Sequence, residues 1–132
     1  MKEFTIFRNK WLRGGKDGFG NDEGASLCTD DGQKCCLGHI MTQCGIKKIQ
    51  LLDKGDPADV LTDENGQGRP RVQSEQLRKA VNFLYNNSKG ANTKLTEQAV
   101  SINDDHNIDD EERERQLTAL FSKNKIRLTF VG

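Results

Sequence analysis

The sequence predicts an α+β fold, a small antiparallel sheet with about three packed helices, and three observations predict it. Short runs of alternating apolar residues stand at the two ends of the chain, Phe4-Thr5-Ile6-Phe7 and the Ile126, Leu128, Phe130 series. Between them, apolar residues recur at helical spacing in several stretches. Only 33% of the 132 residues are apolar and 13 are glycine, so the core is small and much of the chain is loop. A chain of this length is expected to form one domain, 1–132, burying roughly 70% of its unfolded surface, enough to fold without staples.

Taken in order, 4–7 reads as a strand and 14–24 as a glycine-rich loop. Residues 25–36 read as a β-hairpin, because Asp31-Gly32 supplies the positive φ of a tight turn. A helix is expected over about 35–44, where Cys36, Leu37, Ile40, Met41 and Cys44 share a face and Gly45 stands at the left-handed C-cap. Asp56-Pro57 opens a short turn to Leu61, and 62–73 is loop. Ser74 caps a helix with Leu77, Ala80, Val81, Leu84 and Tyr85 inward, ended by Asn86-Asn87. Thr96 opens a shorter helix to Ile102. Asp109 with Glu112 makes a capping-box pattern for a helix whose inner face is Leu117, Leu120 and Phe121. Acidic residues crowd its first turn and Lys123 and Lys125 its end, as the helix dipole prefers. The first and last strands are expected to be neighbours in one sheet.

The 20 basic and 20 acidic side chains cancel, which argues against nucleic acid as a partner. The charge is nevertheless segregated. Lys2, Arg8, Lys10, Arg13 and Lys16 stand against Glu3 in 1–16. Asp104, Asp105, Asp109, Asp110, Glu111, Glu112 and Glu114 stand against Arg113 and Arg115 in 101–115. The two ends are expected to attract each other or oppositely charged partners. No apolar run reaches the ~18 residues of a membrane span, and the N-terminus lacks the apolar core of a signal peptide. A cytoplasmic location follows as the expectation, with the cysteines as thiols or metal ligands rather than disulfides.

The densest chemistry is Cys28, Cys35, Cys36, His39 and Cys44, five residues within 28–44. Zinc would need four converging ligands, for which Cys28, Cys35, Cys36 and His39 are the weak candidates. Cys44 lies roughly 12 Å further along a regular helix and cannot join them. Cys35 and His39, one helical turn apart, could instead form a thiol–imidazole pair. The third reading, small apolar side chains in the core, fits the Cys36, Ile40, Cys44 stripe best. No residue is assigned a catalytic role, and no metal or cofactor is expected.

Arg8, Trp11, Arg13 and Lys16 interleave cations with an aromatic beside glycines, and could hold a phosphate or nucleotide. The competing reading has Trp11 plugging the core and the arginines pairing with the acidic C-terminal helix, and it is preferred. Residues 103–110 invite a calcium reading. A loop starting at Asp105 puts Asp110 and Gln116 where an EF-hand needs glycine and glutamate, so the pattern fails.

Trp11-x-Arg13-Gly14, then Gly32-x-x-Cys35-Cys36-Leu37-Gly38, then Ile102-Asn103-Asp104-Asp105 with Glu112-Arg113-Glu114 and the closing strand together resemble small uncharacterised accessory proteins of bacteriophages and prophages. The resemblance spans most of the chain in order. It implies a viral protein acting in the bacterial cytoplasm, one that binds and modulates or inhibits a host protein such as a defence component. The expected contact is the acidic 104–115 region, with Asp109, Asp110 and Glu111 at its centre, or the glycine-rich loop. The alternatives are the nucleotide module at Arg8, Trp11 and Arg13 and a zinc or thiol enzyme at Cys35, Cys36 and His39.

Overall fold

The structure is a computed structural model, and it describes residues 2–15, 24, 26–52 and 91–132, with 91–94 described by backbone alone. Strand β1, Lys2–Phe7, runs into a 3₁₀ turn at Arg8–Lys10. Helix α1 is Cys36–Gln43, α2 is Lys48–Leu51, α3 is Ala91–Asp104 and α4 is Asp110–Lys123. Strand β2, Ile126–Val131, closes the order.

The two strands are neighbours, but they run parallel, which corrects the antiparallel expectation. Apolar alternation is blind to strand direction, so the sequence could not decide it. A parallel pair needs a long crossover, and here the two strands are separated by all the described helices. The register pairs Phe4 with Leu128 and Ile6 with Phe130, so the inward residues of both strands share one face. A slip of one residue would set buried side chains against exposed ones. Gln43, the last residue of α1, covers the edge of β1. Its Nε2 donates to Thr5 O at 2.6 Å and its Oε1 accepts from Thr5 N at 2.9 Å, as a further strand would.

The described helices number four rather than about three, because α2 had no legible periodicity in its four residues. The helix read from Ser74 and the turn read at Asp56-Pro57 lie outside the described residues, as do 16–23 of the glycine-rich loop. Helix α3 begins at Ala91, a turn before the expected Thr96.

The hairpin of 25–36 is also corrected. Its turn exists, with Gly32 at φ 82° and Thr29 N donating to Gln33 O at 2.8 Å. One further bond crosses the turn, from Cys35 N to Ser26 O at 3.0 Å, but no strand pair forms and the flanking residues otherwise pair elsewhere. Lys34 N donates to Lys10 O and its carbonyl accepts from Leu12 N, both at 2.8 Å, while Cys28 bridges Leu52. These pairings tie the N-terminal segment to the approach of α1. Helix α1 ends as its sequence suggests. Gly45, at φ 93°, donates to Thr42 O and Ile46 N to Met41 O, the doubled bond of a Schellman cap.

The core lies where α1 meets β1 and α3, and where α4 meets α3 and β2. Its largest fully buried side chains include Ile6, Leu37, Ile40, Leu117 and Phe121. Each stabilises the fold by about 1.5–3 kcal/mol relative to exposure.

Candidate functional site

Cys35 is the N-cap of α1, with extended φ −69° and ψ 177°. The amides of Leu37 and Gly38 favour its thiolate, as a helix N-terminus should, but burial is the larger effect and pushes the thiol up to about 12. Burial also pushes Cys36 well up, with Cys35 and Asp104 adding to it. Cys28 is raised mainly by burial, and its Sγ donates to Thr29 O at 3.3 Å. All four cysteines are free thiols.

His39 is buried. Its Nδ1 lies 3.0 Å from Cys35 O, and since a carbonyl only accepts, Nδ1 carries the proton. Burial lowers its pKa, so the ring is neutral, and Nε2 has no hydrogen-bond partner among the described residues. The ring thus addresses the backbone of Cys35, not its sulfur. It leans on Phe7, with centroids 6.1 Å apart. The i,i+4 spacing put both side chains on one face, but the nearest acceptor for Nδ1 is the carbonyl one turn back. Among the described residues no three His, Cys, Asp or Glu side chains come together to hold a metal, so Cys28, Cys35, Cys36 and His39 do not converge. Cys35 and Cys36 instead line a shallow crevice with Leu37, Val100, Asn103 and Asp104, too tight to admit even water.

These environments fix an expected thiol chemistry. At equal pH Cys35 holds far less thiolate than a cysteine at its ordinary value. Native protein at neutral pH should therefore react with a thiol reagent at Cys35 and Cys36 only as fast as it opens, and at once in denaturant. Rapid stoichiometric labelling of Cys35 in the native protein would contradict this geometry.

The basic segment meets the acidic helix. Arg8 grips Glu114 with two bonds of 2.8 Å, through Nε and Nη2. Arg13 Nε pairs with Asp110 Oδ2 at 2.9 Å, and its guanidinium lies 4.7 Å from the Trp11 ring centre. Trp11 is only 6% exposed and packs against Phe130, with centroids 5.1 Å apart. Its Nε1 donates to Asn103 Oδ1 at 2.8 Å. Arg8, Trp11 and Arg13 are thus each bound to other parts of the chain, and Lys16 lies outside the described residues.

Asp109 Oδ1 accepts from Glu112 N at 2.8 Å and caps α4. Asp110 lies between two arginines, Arg13 and Arg113. Arg115 and Gln116 hold the Glu112 carboxyl down to about 2. Glu111 is exposed and makes no side-chain hydrogen bond or ion pair with the described residues. Of the three expected contact residues, Asp109 and Asp110 have structural duties and Glu111 has none.

Asn103 and Arg113, two of the buried polar residues, were not singled out as site residues from sequence. Asn103, 1% exposed, accepts at Oδ1 from Trp11 Nε1 and from Cys36 N at 3.1 Å, and donates from Nδ2 to Leu12 O at 3.0 Å. Gly14 N adds a bond of 2.7 Å to its carbonyl. Arg113, 3% exposed, donates to Asp110, to Asp105 O and to Ile108 O. The signal was present in the spacing. Leu95, Ala99 and Asn103 form one i,i+4 series, and Arg113, Leu117 and Phe121 another. In each helix a polar residue stands on the apolar stripe, and a buried polar group must find partners.

The class these features define is an α+β scaffold whose core is pinned by two buried polar hubs and whose termini are clamped by ion pairs. No protein-family model, curated protein or solved structure matches the chain. Among the described residues no helix is long and apolar enough to cross a membrane.

Proposed function

We propose that the chain is a non-enzymatic accessory protein of bacteriophage type that binds, and modulates or inhibits, a protein of its bacterial host in the cytoplasm. A host defence component is one class of target. The contact is the acidic corner at the start of α4, formed by Asp109, Asp110 and Glu111. One observation carries the reading: this corner is exposed and yet held in place. Asp109 is locked as an N-cap, Asp110 is fixed by Arg13 and Arg113 while half exposed, and Glu111 projects its charge without a partner among the described residues. A preorganised charged surface loses little entropy on binding and steers a basic partner toward it. Cys28, Cys35, Cys36 and His39, by contrast, are buried, and Cys28 Sγ and His39 Nδ1 are engaged with backbone carbonyls. The resemblance to phage and prophage accessory proteins supplies the setting.

The test is capture from bacterial lysate with the full chain, read by mass spectrometry, beside the variant E111K. That substitution leaves the cap and both ion pairs of Asp110 intact, so it should lower the melting temperature by only a few degrees, the cost of a cation in the first turn of the helix. The parent should recover a defined partner, and E111K about tenfold less of it. Equal recovery by both proteins, or no partner at low salt, would sink the reading.

A further inference from the structure

We propose that Arg113 is the resident cation of a cage built by the 105–110 loop, holding from within the chain the position that a bound cation would hold in an acidic loop. The segment 103–110 is rich in Asp and Asn but lacks the glycine and glutamate of a calcium loop. In the fold, its oxygens turn onto the Arg113 guanidinium. Nη2 donates to Asp105 O and, at 3.1 Å, to Ile108 O, while Nη1 donates to Asp110 Oδ1. Backbone carbonyls and a carboxylate are the donor set a hard cation takes. Here a planar fork takes it, matching two carbonyls and a carboxylate at once as a point charge would not.

Burial supports the assignment independently. The Arg113 side chain is 3% exposed, and its Nε has no hydrogen-bond partner among the described residues. A buried charge with an unmet donor persists only where the oxygens around it compensate for lost water. Gly14 lies beside the guanidinium, since a Cβ there would stand 3.7 Å from Nη2. Asp110 carries the link outward, one oxygen on Arg113 and the other on Arg13. The loop and the first turn of α4 therefore form one unit around an internal cation. The ligand class of the cage is a guanidinium-type monocation, not a divalent metal. The assignment meets the proposed function only in that the corner it positions is the one offered to a partner, and the test below involves no partner.

The experiment is amide hydrogen exchange of 105–111 in the full chain carrying Arg113→Ala. It is read with low, non-denaturing guanidinium chloride, with potassium chloride at equal ionic strength, and with calcium chloride. Exchange should accelerate by about tenfold or more in the variant. Guanidinium should restore most of the protection, and potassium and calcium should not. A merely space-filling arginine would show no such rescue. Unchanged exchange in Arg113→Ala, or recovery as good with potassium or calcium, overturns the assignment. Should that variant fail to fold, Arg113→Lys carries the test, since it keeps the charge and loses the fork. Its loop should still exchange faster than the parent's, and parent-like exchange overturns the proposal.

Discussion

Gly38→Ala is expected to destabilise the protein severely, by about 3 kcal/mol or more, at the upper end of what overpacking costs. For a domain of this size that corresponds to a fall of about 10 °C in melting temperature. Gly38 lies inside α1, where helix propensity alone favours alanine by about 1 kcal/mol. Packing reverses the sign. A Cβ at Gly38 would stand 1.8 Å from Leu27 O and 2.8 Å from Leu27 C. Both atoms are backbone, and no side-chain rotation relieves the clash. The crossing segment cannot retreat cheaply either. Ser26 O accepts from Cys35 N at 3.0 Å, Cys28 bridges Leu52, and Leu27 itself is fully buried. Thermal unfolding followed by circular dichroism decides between the two effects. A melting temperature equal to or above the parent's would mean that the segment does not cross α1 at this contact.

That contact also marks how far the sequence could be read. The helix at 36–43 and the cap at Gly45 followed from its apolar stripe and the glycine after it. The N-cap at Asp109 and the attraction between the basic N-terminus and the acidic helix were legible too, because each rests on local chemistry or on charge segregation. Direction was not legible. Alternation at 4–7 and 126–130 reads alike for parallel and antiparallel pairing, and the crossover that selects between them is more than a hundred residues long. The hairpin expectation failed for a related reason. Asp31-Gly32 specifies a turn, but the strands around it are free to choose partners, and Lys34 found the N-terminal segment instead. At the candidate site, spacing placed Cys35 and His39 on one face without saying that the imidazole would turn to the carbonyl. The polar hubs were encoded as an exception, a polar residue within an apolar series, and a pattern search for apolar faces passes over them.

The second large effect is expected at Asn103. Removing its side chain as Asn103→Ala strands three buried groups: Trp11 Nε1, the amide of Cys36 and the carbonyl of Leu12. Each unsatisfied group costs about 1–3 kcal/mol. They are neighbours, so the losses are not additive, and about 3–5 kcal/mol is expected in total. The geometry makes a sharper prediction for Asn103→Asp. A carboxylate still accepts from Trp11 and Cys36 but cannot donate to Leu12 O, and it stands beside Asp104. Its protonated form can do all three, since the hydroxyl replaces the amide donor. Burial and the neighbouring acid raise the pKa of that carboxyl in the folded state, so the native state binds the proton more tightly than the unfolded chain. Stability of the variant relative to the parent should then improve on acidification and decline as pH rises. Emission of Trp11, the single tryptophan, reports the same site directly, because its Nε1 loses its acceptor in Asn103→Ala and keeps it in Asn103→Asp. Paired thermal melts across pH with tryptophan emission test the whole scheme. If Asn103→Ala melts with the parent, or if the Asn103→Asp deficit does not depend on pH, the hub does not join Trp11, α1 and α3 as the hydrogen bonds require.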